Sequence, residues 1–98
     1  MSEPDSVSPL PVDARPRLPR GVRLEHNEAH GGLVLLAPER VFKPDAIAAA
    51  ILTRCTGETT IEGIVDDLVA TYSAPRERIL ADVTALIRSL VEKKLMEL

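Results

Sequence analysis

The stretch DAIAAAILTRCTGETTIEGIVDDLVATY, residues 45–72, decides how the rest of this chain is read. It is two short helices joined by a tight, capped turn. Asp45 stands where an N-cap is wanted, its carboxylate able to accept from the backbone N–H groups that a first helical turn leaves unpaired. Ile47, Ala48, Ile51, Leu52 and Cys55 then recur at helical spacing and make one apolar face. Gly57 falls where a left-handed, helix-ending residue is needed. Thr59 and Glu62 have the spacing of a capping box, which starts a second helix with a buried face of Ile61, Ile64, Val65, Leu68 and Tyr72. Two helices with one apolar stripe each cannot bury themselves, so the flanking segments must supply the other walls of a core.

Upstream, order begins near Gly21. Apolar and polar residues alternate from Val22 to His26, the period of a half-buried strand. Gly31 and Gly32 give a hairpin signal, LVLLA (residues 33–37) is a short apolar run, and Pro38 breaks it. Arg40, Val41, Phe42 and Lys43 make a brief third strand that Pro44 ends. Such a strand, short, charged at both ends and proline-terminated, is a protected sheet edge. Downstream, Pro75 suits the first turn of a third and longest helix, about residues 75–94, with Ile79, Leu80, Val83, Leu86, Ile87, Leu90 and Val91 on its apolar face and Lys93 and Lys94 near its negative end. The expected fold class is α+β: a three-stranded antiparallel sheet followed by three helices, β-β-β-α-α-α, with the helices on one face of the sheet. Residues 1–14, with Pro4, Pro9 and Pro11, are expected to be a disordered tail. Residues 15–20, RPRLPR, form a basic approach segment, extended along the surface, and 15–98 form one domain.

Composition excludes several classes of function. The chain has 98 residues and only 2% aromatics, so its core must be aliphatic and any groove has few aromatic anchors. A single cysteine excludes an intrachain disulfide and a multi-thiolate metal or iron–sulfur site. The net charge of −3 disfavours nucleic acid as a partner of the whole molecule. No apolar run approaches the roughly 20 residues that span a bilayer, and the first residues lack the basic-then-apolar pattern of a signal peptide. The expectation is a soluble, cytoplasmic protein.

Catalytic chemistry is not visible. His26 and His30 fall on a strand and a turn, as an exposed hairpin rather than a metal pair. Cys55 reads as an inert core thiol. Asp66 and Asp67 have no basic partner nearby in sequence and read as a solvated helix face. Neither a phosphate loop nor a serine-nucleophile motif is present. No catalytic residue, metal ligand or cofactor is therefore expected. Binding remains, in two forms. One is a helix-turn-helix over residues 60–90, with Arg76 and Arg78 opening the helix that would read DNA, against the acidic neighbours Glu77 and Asp82. The other is the edge strand of Arg40 to Lys43 beside the long helix, which is either a docking place for an extended peptide or an ordinary protected edge.

Four segments taken together resemble one family. RPRLPRGVRL (15–24), GGLVLLAPERV (31–41), AAAILTRCTGETTIEGIVDDL (48–68) and YSAPRERI (72–79) stand in the order found in the PqqD family of pyrroloquinoline quinone biosynthesis, and the likeness covers nearly everything after the tail. The sequence departs from the family pattern at Thr56, where Asp often precedes the glycine. It departs again at Asp45, where Asn is usual and Asp caps equally well, and at Pro44, which replaces an aliphatic. The resemblance implies a winged-helix-like β3α3 domain over residues 15–98. It implies a peptide chaperone, not an enzyme, that binds the precursor peptide PqqA and presents it to the radical SAM enzyme PqqE, which cross-links a Glu and a Tyr of the peptide. It implies that the peptide is held as an added strand on Arg40, Val41, Phe42 and Lys43, in the cleft with the third helix. Arg78, Asp82, Leu86 and Ser89 are one candidate stripe of that helix. The assembly expected is a monomer, or a homodimer formed by swapping the hairpin through the segment 37–45. A DNA-binding helix-turn-helix regulator is the alternative.

Overall fold

A computed structural model describes residues 10–30 and 32–98 of the chain. Three strands, β1 (Arg23–Asn27), β2 (Gly32–Ala37) and β3 (Arg40–Phe42), precede three helices, α1 (Ala46–Leu52), α2 (Ile61–Tyr72) and α3 (Arg76–Glu92). The sheet is an antiparallel meander in the order β1-β2-β3. A short 3-10 turn at Glu28–His30 follows β1.

Register fixes which side of the sheet meets the helices. Leu24, Leu35 and Phe42 lie opposite one another across the three strands, and all three pack against the helical core. The next row, Arg23, Leu36 and Val41, therefore belongs to the other face. The sheet joins the core through the Leu24, Leu35, Phe42 row and through Val22 and Ala37, and the molecule measures 43 × 34 × 21 Å.

The helices start and stop for local reasons. Asp45 is extended (φ −74°, ψ −178°) and accepts from the Ala48 N–H at 2.8 Å, so α1 starts where the sequence places it. Gly57 has φ +85°, the left-handed value that suits glycine. The α2 cap falls one residue later than the capping box predicts: Thr60, not Thr59, is the N-cap, accepting from the Gly63 N–H at 3.0 Å. A Cβ at Gly63 would sit 3.0 Å from Thr59 Cγ2 and 3.3 Å from Thr60 Oγ1, so the threonines close over a residue without a side chain. Ser73, left-handed at φ 53°, ends α2, and Pro75 caps α3.

Helix α3 is shorter than expected at its end. Lys93 is its C-cap and Lys94 is left-handed at φ 62°. The Leu95 N–H donates to the Leu90 carbonyl at 2.8 Å and the Lys94 N–H to Val91 at 3.0 Å, the two bonds of a Schellman motif. Leu95 and Leu90 are both buried, as that motif favours. The chain then turns back along the core with Met96 also buried.

The approach segment is not a free surface strand. Pro16 is fully buried, its carbonyl accepts from the Gly57 N–H at 2.9 Å, and Arg17 exchanges two backbone hydrogen bonds with Glu97, at 2.9 and 2.8 Å. An Arg17–Glu97 ion pair at 3.1 Å lies over that bridge. The tail expected over residues 1–14 falls largely outside the described residues. Its last part, Leu10 to Ala14, lies on the domain. The carbonyls of Ala14 and Val12 accept from the Ile61 and Glu62 N–H groups, each at 2.9 Å. Those are two of the donors that the first turn of α2 leaves open. The cause of the difference is physical: a proline-rich strap can satisfy a helix end with its carbonyls even though it donates few N–H groups of its own.

Candidate functional site

The edge strand is built by its turn. Pro38 and Glu39 form a two-residue connection, and Ala37 pairs with Arg40 across it. In such a hairpin the pair flanking the turn exchanges its hydrogen bonds, so the next pair, Leu36 and Val41, directs its N–H and C=O groups away from the partner strand. On β3 that direction is the open edge, because β2 is its only strand neighbour among the described residues. Val41 is 53% exposed, Arg40 and Lys43 are exposed, and Phe42 is half-buried on the core side. Of the four edge residues, Phe42 is the one that holds the sheet to the helices.

Arg40 and Val41 line a hollow of about 550 Å³ together with Gly21, Arg23, Leu36, Ala37, Pro38 and Glu39, and two further hollows adjoin α3. One, of about 310 Å³, lies between α1 and α3 and is lined by Asp45, Ile47, Ala48, Ile51, Asp82, Ala85 and Leu86. The structure thus brings Asp82 and Leu86 to one wall. Arg78 lies one turn earlier, exposed and outside that lining, and Ser89 accepts from Lys93 Nζ at 2.9 Å. The other, of about 300 Å³, is lined by Arg20, Val22, Ala37, Pro38, Glu39, Arg40, Lys93, Lys94 and Leu95.

Ile47 was expected in the core and instead is 40% exposed at the mouth of the first hollow. The strict series Ala48, Ile51, Leu52, Cys55 already fills the i, i+3, i+4, i+7 stripe, and Ile47 lies to one side of it. That frame was the available signal. Tyr72, expected on the buried face of α2, is 45% exposed at the helix's last position, past the buried series Ile61, Ile64, Val65, Leu68. Arg20, Lys93 and Lys94 were not singled out as site residues. Their signal is nonlocal, because they meet Arg40 only in the folded chain.

The remaining polar groups are mostly structural. Asp66 and Asp67 have partners after all, from beyond the local sequence. Asp66 pairs with Arg76, which also approaches Glu62 at 3.9 Å, and Asp67 pairs with Arg54. Arg76, at the head of the helix that would read DNA, is thus tied to carboxylates of α2. Cys55 is buried, its thiol donates to the Ile51 carbonyl at 3.3 Å, and burial pushes its pKa from 9.0 up to about 12. Among the described residues no three His, Cys, Asp or Glu side chains gather as a metal ion would require, and no helix is long and apolar enough to cross a membrane.

Comparison with known proteins gives a consistent picture. A model of the family described as Coenzyme PQQ synthesis protein D (PqqD) matches residues 32–96. The PqqA binding protein of Bradyrhizobium diazoefficiens is 46% identical over 80 residues, which are 82% of this chain and 78% of that one. The solution NMR structure of the PqqD truncation of Methylobacterium extorquens PqqCD is 42% identical. It has a TM-score of 0.73 over 85% of this chain and 88% of that one, and it is a functional, stand-alone recognition element for ribosomally synthesized and post-translationally modified peptides. The crystal structure of PqqD from Xanthomonas campestris is 34% identical, with a TM-score of 0.59 over 99% of this chain and 100% of that one.

Proposed function

This chain belongs to the PqqD family, and from that premise we propose that it is a peptide chaperone of pyrroloquinoline quinone biosynthesis, binding PqqA and presenting it to the radical SAM enzyme PqqE. The observation that carries the reading is the open edge of β3, which leads through Asp45 to the hollow between α1 and α3. Val41 offers an unpaired backbone N–H and C=O there, and α3 lies beyond with Asp82 and Leu86 on the hollow. An extended peptide gains affinity by pairing its backbone with such an edge and specificity from the side chains that reach the neighbouring hollows. Arg40, Val41, Phe42 and Lys43 form the strand side of the site, and Arg78, Asp82 and Leu86 the helix side. Phe42 acts from below, by holding the strand in place. The protein works in the cytoplasm, as a monomer in dilute solution or a hairpin-swapped homodimer when concentrated.

The test is calorimetric titration with PqqA. Val41→Pro removes the outward donor and constrains the backbone beside it, so PqqA binding should weaken at least about tenfold, the loss of roughly one backbone hydrogen bond to a buried partner, with the circular dichroism spectrum unchanged. Undiminished binding by a folded variant would place the peptide elsewhere. The presentation step is read separately: PqqE should cross-link PqqA faster with this protein present than without it.

A further inference from the structure

Two hollows each join the segment from Arg40 to Asp45 to helix α3, one at Arg40 and Lys93, the other at Asp45 and Asp82. From Arg40 to Asp45 the extended chain covers about 16 Å at ~3.3 Å per residue. From Asp82 to Lys93, α3 covers about 16 Å at ~1.5 Å per residue. Arg40 shares its hollow with Lys93 and Lys94, and Asp45 shares its hollow with Asp82. The segment from Arg40 to Asp45 and helix α3 therefore run in opposite directions over similar lengths.

The two ends carry opposite charge. Arg20, Arg40, Lys93 and Lys94 line one end, with Glu39 as the carboxylate among them. Asp45 and Asp82 line the other, with no cation in the lining. Among the described residues, Arg20, Arg40 and Lys94 have no carboxylate within ion-pair distance, and Asp82 has no cation within it. Lys93 donates to a neutral hydroxyl, Ser89 Oγ. A chain of net charge −3 has thus gathered four cations at one mouth. Lys43, exposed beside β3, and Arg78, one turn before Asp82, lie near the acidic end but outside its lining.

We propose that the two hollows are the ends of one electrically polar groove and that its polarity sets the direction in which a peptide lies on β3. The proposal rests on the peptide-binding reading above and adds its selectivity. The accepted segment carries an acidic side chain at the Arg40–Lys93 end and a basic one about five residues away at the Asp45–Asp82 end, the spacing that ~16 Å of strand allows. An apolar side chain near the basic one covers Ile47 and Leu86. Reversing the peptide would set like charges together at both ends, which costs affinity and slows encounter.

The experiment titrates PqqA into the full chain, into Arg40→Glu/Lys93→Glu and into Asp82→Lys, at low and high salt. All three substituted positions are exposed, and circular dichroism with thermal unfolding confirms that each variant is folded. The parent should bind more weakly as salt rises. The double variant should bind about tenfold more weakly at low salt, since two exposed attractions become repulsions, and Asp82→Lys several-fold more weakly. A PqqA peptide with its acidic side chains changed to Lys should recover affinity for the double variant and lose it for the parent. If the parent binds PqqA but the folded variants bind it equally well, or the reversed peptide restores nothing, the groove is not a polar guide and the peptide-binding function stands without it. If the parent itself does not bind PqqA, the peptide-binding reading falls as well.

Discussion

Phe42 and Cys55 show how differently two apolar residues act once their surroundings are known. Phe42 lies in the row with Leu24 and Leu35 and is half-buried against the helices. Phe42→Ala should therefore cost stability, roughly 2 kcal/mol against the 3–5 kcal/mol of a fully buried phenylalanine, as measured by urea unfolding, with any loss of PqqA affinity following from it. Cys55 has its thiol on the Ile51 carbonyl inside the core. Its pKa of about 12 against 9.0 fixes the sign of a pH effect. The folded chain keeps the proton where the unfolded chain releases it, so the thiol leaves stability unchanged below about pH 9 and lowers it progressively from pH 9 toward pH 12. At neutral pH a thiol reagent should leave the native protein unlabelled and react only with chain that has unfolded.

At the scale of elements, caps and stripes could be read from the sequence because their causes lie within four residues. Asp45 caps α1 and the Ile79, Val83, Ile87, Leu90 stripe buries α3 as its spacing requires. The α2 cap is Thr60 and not Thr59, two adjacent residues of the same type that could each serve. Thr60→Ala should cost about 1 kcal/mol and Thr59→Ala clearly less, a contrast that thermal unfolding of the two variants will show. The strap could not be read at all. Its bonds join Arg17 to Glu97 and Ala14 to Ile61, partners far apart in sequence, and its arginines and prolines have the composition of a solvated tail. The candidate site divides the same way. The β3 edge was legible from Pro38, Pro44 and the charges around them, whereas Ile47, Arg20, Lys93 and Lys94 reach the two hollows only through tertiary packing.

At the scale of the molecule, the sheet is an arm attached to the helices at two places, the stretch from Arg17 to Gly21 and the stretch from Lys43 to Asp45. An exchange of hairpins between two copies must straighten both stretches and transfer the Leu24, Leu35, Phe42 row to the neighbour's core. Because the strap holds the first stretch to Gly57 and Glu97, light scattering at micromolar concentration should report the mass of one chain, with a dimer emerging only on concentration. The Arg17–Glu97 bridge holds two distant segments side by side, so between these two residues the domain is in effect a closed loop. A short flexible linker could join those segments, and the chain could be reopened in the hairpin between β1 and β2. Such a circular permutant would keep the β3 edge and α3 in their places while moving both free ends to the far end of the sheet.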